Sequence, residues 1–325
     1  MKRKQRSSKT VVMLVSLSLT LLLPLALGSN QYNMALATTV LMFAAVSTAW
    51  NIIGGIGRQL DLTAGAYLGL GAFTTGILLI RWNITPWLGM IVGGIVAAAF
   101  AALVGWPLFR FKVKEVWYAL SSSALVEVLR VIFLMWDKIG GPVERYLPYY
   151  SFSLYHLRFS SYIPFYYLML AMLLIALFVN YRIINVRLGY SLLALGEDED
   201  AAEVLGVNAH ACKMRALMIY AFLVGVIGGI YAYMYGFIHP NFFSVTMSIE
   251  VAILGIVGGI GITYGPLIAA VLLVSARELL RANLGGGMEG LYLVLYGTVL
   301  ILIALFRPRG LATLLHRTSR RLTSH

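Results

Sequence analysis

Glu127 and Arg130 stand inside an otherwise apolar stretch, Val116 to Trp136, where charge is expensive. Three positions apart, they share one face of a helix and can pair. Charges at membrane depth face a protein interior or a water-filled cavity, so this face is a candidate lining for a transport path; an ion pair locking two helices together is the alternative. A second concentration of charge lies in the longest polar connection, 182–214. Acids from Glu197 through Asp198 to Asp200 suit the amino end of a helix through its dipole, and Gly206 suits the carboxyl end. Between them Ala201, Ala202 and Leu205 form a small apolar patch beside Glu203, the make-up of a helix built to dock.

Other chemistries lack their residues. No G-x-x-x-x-G-K-[ST] loop is present to cradle nucleotide phosphates, so the chain does not hydrolyse ATP by itself. The five histidines fall in neither H-x-x-x-H nor H-E-x-x-H spacing, so no metal site is expected. Ser121, Ser122 and Ser123 have no histidine on a neighbouring span to activate them, so no catalytic residue is assigned. The single cysteine, Cys212, excludes a disulfide framework.

The elements that must carry these residues follow from composition. Of 325 residues 60% are apolar or aromatic and 12% charged, with a mean hydropathy of +0.84. An ordinary soluble domain carries about 25% charged residues, so this chain is solvated mostly by lipid. The formal charge of +12 is spread over short loops, which argues against nucleic acid as a partner. A bilayer core needs about 20 helical residues. Ten stretches approach that length: Val11–Leu27, Asn33–Ile53, Leu60–Ile80, Trp87–Leu108, Val116–Trp136, Pro164–Tyr181, Arg215–Tyr235, Ile249–Ile262, Tyr264–Leu280 and Gly290–Phe306. The expectation is an all-α, polytopic helical membrane protein of about 10 (8–10) transmembrane helices, with the eighth and ninth segments broken or re-entrant at glycine.

Threaded from an inside amino terminus, 18 Lys and Arg fall on one side and 6, Arg277 among them, on the other, with Arg130 in the membrane. Positive charge is retained in the cytoplasm, so both termini are expected there, as basic tails 1–10 and 307–325. The first segment, with its basic start and Ala26-Leu27-Gly28, also has the form of a secretory signal peptide, whose removal would leave nine spans. Glycine concentrates in 54–76 and again in 255–265. Small residues four apart, such as Gly65 and Gly69, allow close helix contact. Paired Gly-interrupted segments also mark broken helices around a midplane site in transporters, which makes Gly65, Gly69, Gly71, Gly258 and Gly259 candidate pathway positions.

Asp200-Ala201-Ala202-Glu203-Val204-Leu205-Gly206 resembles the E-A-A-x-x-x-G loop of ABC importer permeases, with Asp for the first Glu. The likeness is wider: Gly57 to Gly76, Lys114 to Val131, Arg187-Leu188-Gly189, Phe237 to Phe243, Ser248-Ile249-Glu250, Gly258 to Gly261 and Phe306 to Leu311 are similar, in the same order, to the branched-chain amino acid ABC importer permease family. It covers nearly everything from Asn33 onward; Leu195-Gly196, where the family commonly has a basic residue, and the Tyr-rich outer loop (Tyr146, Tyr149, Tyr150, Tyr155, Tyr162) depart from it. The resemblance implies a single permease domain, 1–325, in a bacterial inner membrane, importing branched-chain amino acids, with urea, short amides or another amino acid as alternative cargo. It implies a second homologous permease subunit, two cytoplasmic subunits that bind the ATP, and an extracytoplasmic solute-binding protein. The tyrosine-rich loop itself is expected to help receive that binding protein, with an aromatic belt at the membrane interface as the alternative. Asp198, Asp200, Ala201, Ala202, Glu203, Leu205 and Gly206 would then be the ATPase-coupling helix. No cofactor is expected on this chain itself.

Overall fold

The computed structural model describes residues 20–24, 28, 30–148, 155–157, 159, 161–284, 289–306 and 310–312. Most of the first apolar segment, the basic tails apart from residues 310–312, and Tyr149 and Tyr150 lie outside them. Twelve α-helices run through the described part, joined by one two-stranded ribbon. The first, α1 (Gln31–Trp50), starts where the Asn30 side chain accepts hydrogen bonds from the amides of Tyr32 and Asn33, and it continues as a π segment, Asn51–Ile56. Next come α2 (Ala64–Trp82), α3 (Pro86–Arg110) and α4 (Glu115–Met135). Thr85 caps α3 ahead of Pro86, whose missing N–H costs nothing in a first turn. The long α5 (Ile163–Ile184) is followed by two short polar helices, α6 (Arg187–Glu197) and α7 (Glu199–Val204), and by α8 (Ala209–Tyr235).

The eighth and ninth predicted segments form a broken hairpin. A 3-10 turn, Pro240–Phe242, leads into α9 (Val245–Gly259); the chain reverses through 260–264, then climbs as α10 (Gly265–Ala269), a π segment (Ala270–Val274) and α11 (Ser275–Leu284). The last helix is α12 (Glu289–Phe306). Among the described residues seven helical stretches are long and apolar enough to cross a membrane, and Gly290–Ile303 is a shorter apolar one. The polytopic all-α reading therefore holds, with interruption at glycine where it was expected.

Glycine sets the packing. Where α2 crosses α8, a Cβ built on Gly71 would fall 1.9 Å from the Gly225 carbonyl oxygen, so backbones touch there and only hydrogen fits. Trp50 is wedged between Gly54 and Gly255, which brings the two glycine-rich regions face to face, and its indole N–H donates to the Asp61 carbonyl at 2.7 Å. Beneath it the Asn51 side chain accepts from the Gly261 amide at 3.2 Å, closing the turn of the hairpin onto the π segment.

Candidate functional site

The docking turn is built as its residues dictate. Asp198 adopts an extended conformation and its carboxylate accepts the Ala201 amide at 3.0 Å, the cap that starts α7; Asp200 lies in the first turn. Gly206, at φ +88°, ends it with a left-handed residue, and the Val207 amide returns to the Ala202 carbonyl at 3.0 Å. Three ion pairs then fasten this turn and the end of α6: two reach the connections ahead of α2 and of α4, and the third reaches α8. Glu197 meets Arg58 at 2.5 Å, Glu203 meets Lys112 at 2.5 Å, and Glu199 meets Lys213 at 2.7 Å. The hydrogen bond and charge of Glu203 hold the Lys112 ammonium above the usual lysine range. Basic residues that the charge count placed on one side thus gather at one end of the molecule. Arg81 and Arg145, counted on the other side, both reach the Lys138 carbonyl, and Arg145 sits in the ribbon Arg145–Tyr146 with Phe237–Ile238.

The apolar patch of the turn differs from the expected one. Ala202 is buried at 3%, packed with Leu195 and Ala209 inside its own chain, because the i+7 and cross-helix neighbours close over it. The surface offered outward is Ala201 with Val204 and Leu205, the last two 87% and 85% exposed. Beside it an open recess of about 380 Å³ is lined by Phe109, Lys112, Glu203, Gly206 and His210 among others.

Glu127 and Arg130 do pair, three hydrogen bonds of 2.6 to 3.0 Å joining them on the one helix α4, so among the described residues they bridge no second helix. They lie on its outer face. The candidate glycines lie elsewhere, and each is met by the chain's own atoms: Gly65 abuts the Ser244 backbone, Gly69 the Phe243 ring, Gly71 the Gly225 backbone, and Gly258 the Gly265 backbone. Gly259, at φ +124°, is covered by Gly310.

Sequence reasoning missed a larger charge cluster. Arg277, counted as a loop charge on the outer side, sits near the start of α11 and pairs with Glu250 of α9 and, at 2.7 Å, with Glu278. The three side chains are only 17%, 12% and 19% exposed. The guanidinium also lies 5.0 Å from the Phe43 ring centroid. Phe43 is twelve residues beyond Gln31, about 18 Å along α1 at 1.5 Å per residue, so the guanidinium reaches inward, whereas Glu250 is five residues into α9 and the Glu278 carbonyl lies by the start of α1, 3.5 Å from the Tyr32 hydroxyl. The signal was legible: Glu250 is the only charge between Gly236 and Arg277. Asp61 was missed as well. Fully buried before α2, its carboxylate accepts from the Thr63 amide (2.9 Å), the Thr63 hydroxyl (2.5 Å) and the Tyr118 hydroxyl (3.0 Å).

Among the described residues no group of three His, Cys, Asp or Glu is placed to hold a metal. The chain is 27% identical over 299 residues to the high-affinity branched-chain amino acid transport system permease protein LivM of Escherichia coli, covering 85% of this chain and 69% of that one. The LivM of Salmonella typhimurium matches equally. The nucleoside ABC transporter permease protein NupC of Lactococcus lactis is 24% identical over 216 residues, 62% of this chain and 66% of NupC. No solved structure matches. The family model described as branched-chain amino acid transport system / permease component matches residues 31–304, and the chain belongs to that family of membrane permeases.

Proposed function

We propose that this chain is the membrane-spanning subunit of an ATP-driven importer of branched-chain amino acids, set in a bacterial inner membrane with the docking turn and both ends in the cytoplasm. The observation that carries the reading is the docking turn itself: an exposed Val204-Leu205 surface beside a recess, in a turn fastened by ion pairs to two membrane connections and to α8. Such a turn can hand motion to the spans only through a partner that binds its two positions with different affinity, since equal binding shifts nothing. The partner is an ATPase subunit that cycles between open and closed, present in two copies. A second, homologous permease shares the solute path, and an extracytoplasmic binding protein delivers the solute to the outer end, where Tyr146 and Tyr155 are exposed.

The likeness to NupC favours a nucleoside as the second reading of the cargo. Proteoliposomes containing the permease pair, the ATPases and the binding protein separate the two. ATP-dependent uptake of leucine, isoleucine or valine that a nucleoside does not compete with is the expected result. Uptake by this chain alone, without ATPase or ATP, would overturn the importer reading.

A further inference from the structure

We propose that the outer face of α4 around Glu127 and Arg130 is the surface that meets the second permease along the solute path; the inference rests on the importer reading above. Helix α4 is the least buried of the seven spanning stretches. Its outer face exposes Val116, Leu120, Val128 and Met135 together with the charged pair, whose side chains are 49% (Glu127) and 32% (Arg130) exposed.

The other outward faces have a different composition. On α3 the exposed positions include Ile91, Ile95 and Leu103; on α5 Leu174, Ile175 and Phe178; on α12 Leu293, Val294 and Ile301. No charge falls within those three helices except within two residues of their ends. Faces of that kind suit hydrocarbon, which offers nothing to a charged group.

Depth excludes an interfacial role for the α4 pair. Glu127 is twelve residues from Glu115 and eight from Met135, about 18 Å and 12 Å from the two helix ends. An arginine facing lipid extends its long stem toward the nearer membrane surface. Arg130 does the reverse. Its nearer end is Met135, yet its guanidinium turns back three residues to grip Glu127, with Nε and Nη2 both on the carboxylate. The pair is thereby held at depth on a face that the chain itself leaves open. Only protein or a water-lined seam can stand opposite it, and in a two-permease importer the homologous subunit supplies both.

A photoreactive phenylalanine placed at Leu120 or Val128 tests the contact in the complete complex, with the same residue at Ile95 of α3 and Ile175 of α5 as references. Illumination is expected to join the α4 positions to the homologous permease and the reference positions to lipid. Adducts from α4 with lipid alone, or with a second copy of this chain, overturn the proposal. The neutral double variant Glu127→Gln with Arg130→Gln is expected to purify with its partners while solute uptake falls at least tenfold; undiminished uptake overturns the pathway role. Purification of the ATPases and the homologous permease with this chain is scored first. Their absence sinks the importer reading itself, and this inference with it, whereas their presence with lipid-only adducts sinks the α4 assignment alone.

Discussion

Arg277→Met is the perturbation whose size the structure constrains best. In the native protein Arg277 serves two carboxylates, one on Glu250 and one on Glu278, all three side chains less than 20% exposed. Methionine fills much of the aliphatic stem but removes the positive charge. Glu278 keeps a neighbouring cation, Arg281 at 3.9 Å, whereas among the described residues no other cation is paired with Glu250 and its Oε1 has no hydrogen-bond partner. Breaking a buried pair by removing one member costs about 3–5 kcal/mol, since a charge is left uncompensated. At about 1.4 kcal/mol per factor of ten, that is roughly two to three and a half decades in the folded-to-unfolded ratio. Thermal unfolding of the purified chain in detergent, followed by tryptophan fluorescence, reads the change. If the loss comes from the stranded Glu250 carboxylate, adding Glu250→Gln to Arg277→Met must restore most of it. Recovery stays short of complete because the contact of the guanidinium with the Phe43 ring, worth about 0.5–2 kcal/mol, is absent in both variants. A single variant as stable as the parent, or a double variant no better than the single one, would refute this reasoning.

Three further outcomes follow from the same geometry. Gly71→Ala places a methyl group against the Gly225 backbone and is expected to cost about 1–3 kcal/mol by overpacking, while Gly297→Ala in α12, which meets nothing within 4 Å, should be neutral or stabilising by up to about 1 kcal/mol through helix propensity; equal melting of the two variants would contradict the crossing. Ala201→Trp should leave the protein folded and uncouple ATP hydrolysis from uptake, since Ala201 faces outward, whereas Ala202→Trp should lower thermal stability because that methyl is packed on Leu195 and Ala209; a stable Ala202→Trp chain speaks against the packing. Lys112→Glu should raise the ATP consumed per solute imported, and Glu203→Lys in the same chain should bring it back, because the pair is re-formed with its signs exchanged; an unaltered ratio in the single variant removes Lys112 from the transmission of motion.

The amino-acid sequence made the helical spans legible because hydrophobic runs of membrane length leave the backbone one way to satisfy its hydrogen bonds. It also marked the docking turn, since a capping acid at Asp198 and a left-handed glycine at Gly206 act within a few residues of themselves. Even the break between α9 and α10 was visible in Gly258, Gly259, Gly261 and Gly265. Local chemistry of this kind is written in adjacent positions.

What stayed hidden was every pairing between distant segments. Glu250 stands out as the lone charge between Gly236 and Arg277, yet nothing near Arg277 says that it will turn inward to that carboxylate, 27 residues earlier, and a charge count by loops placed it at the surface. Nothing near Ala202 says that Leu195 and Ala209 will close over it and leave Leu205 to face outward. The polar residues that stood out, Glu127 and Arg130, turned out to lie on the outside of the chain, because the side of a helix that is covered depends on where the other helices pack. Length, apolarity and caps act along the chain and decide that a helix forms. Facing, burial and the partners of buried charges depend on which backbones glycine allows to touch, and only the folded arrangement decides that.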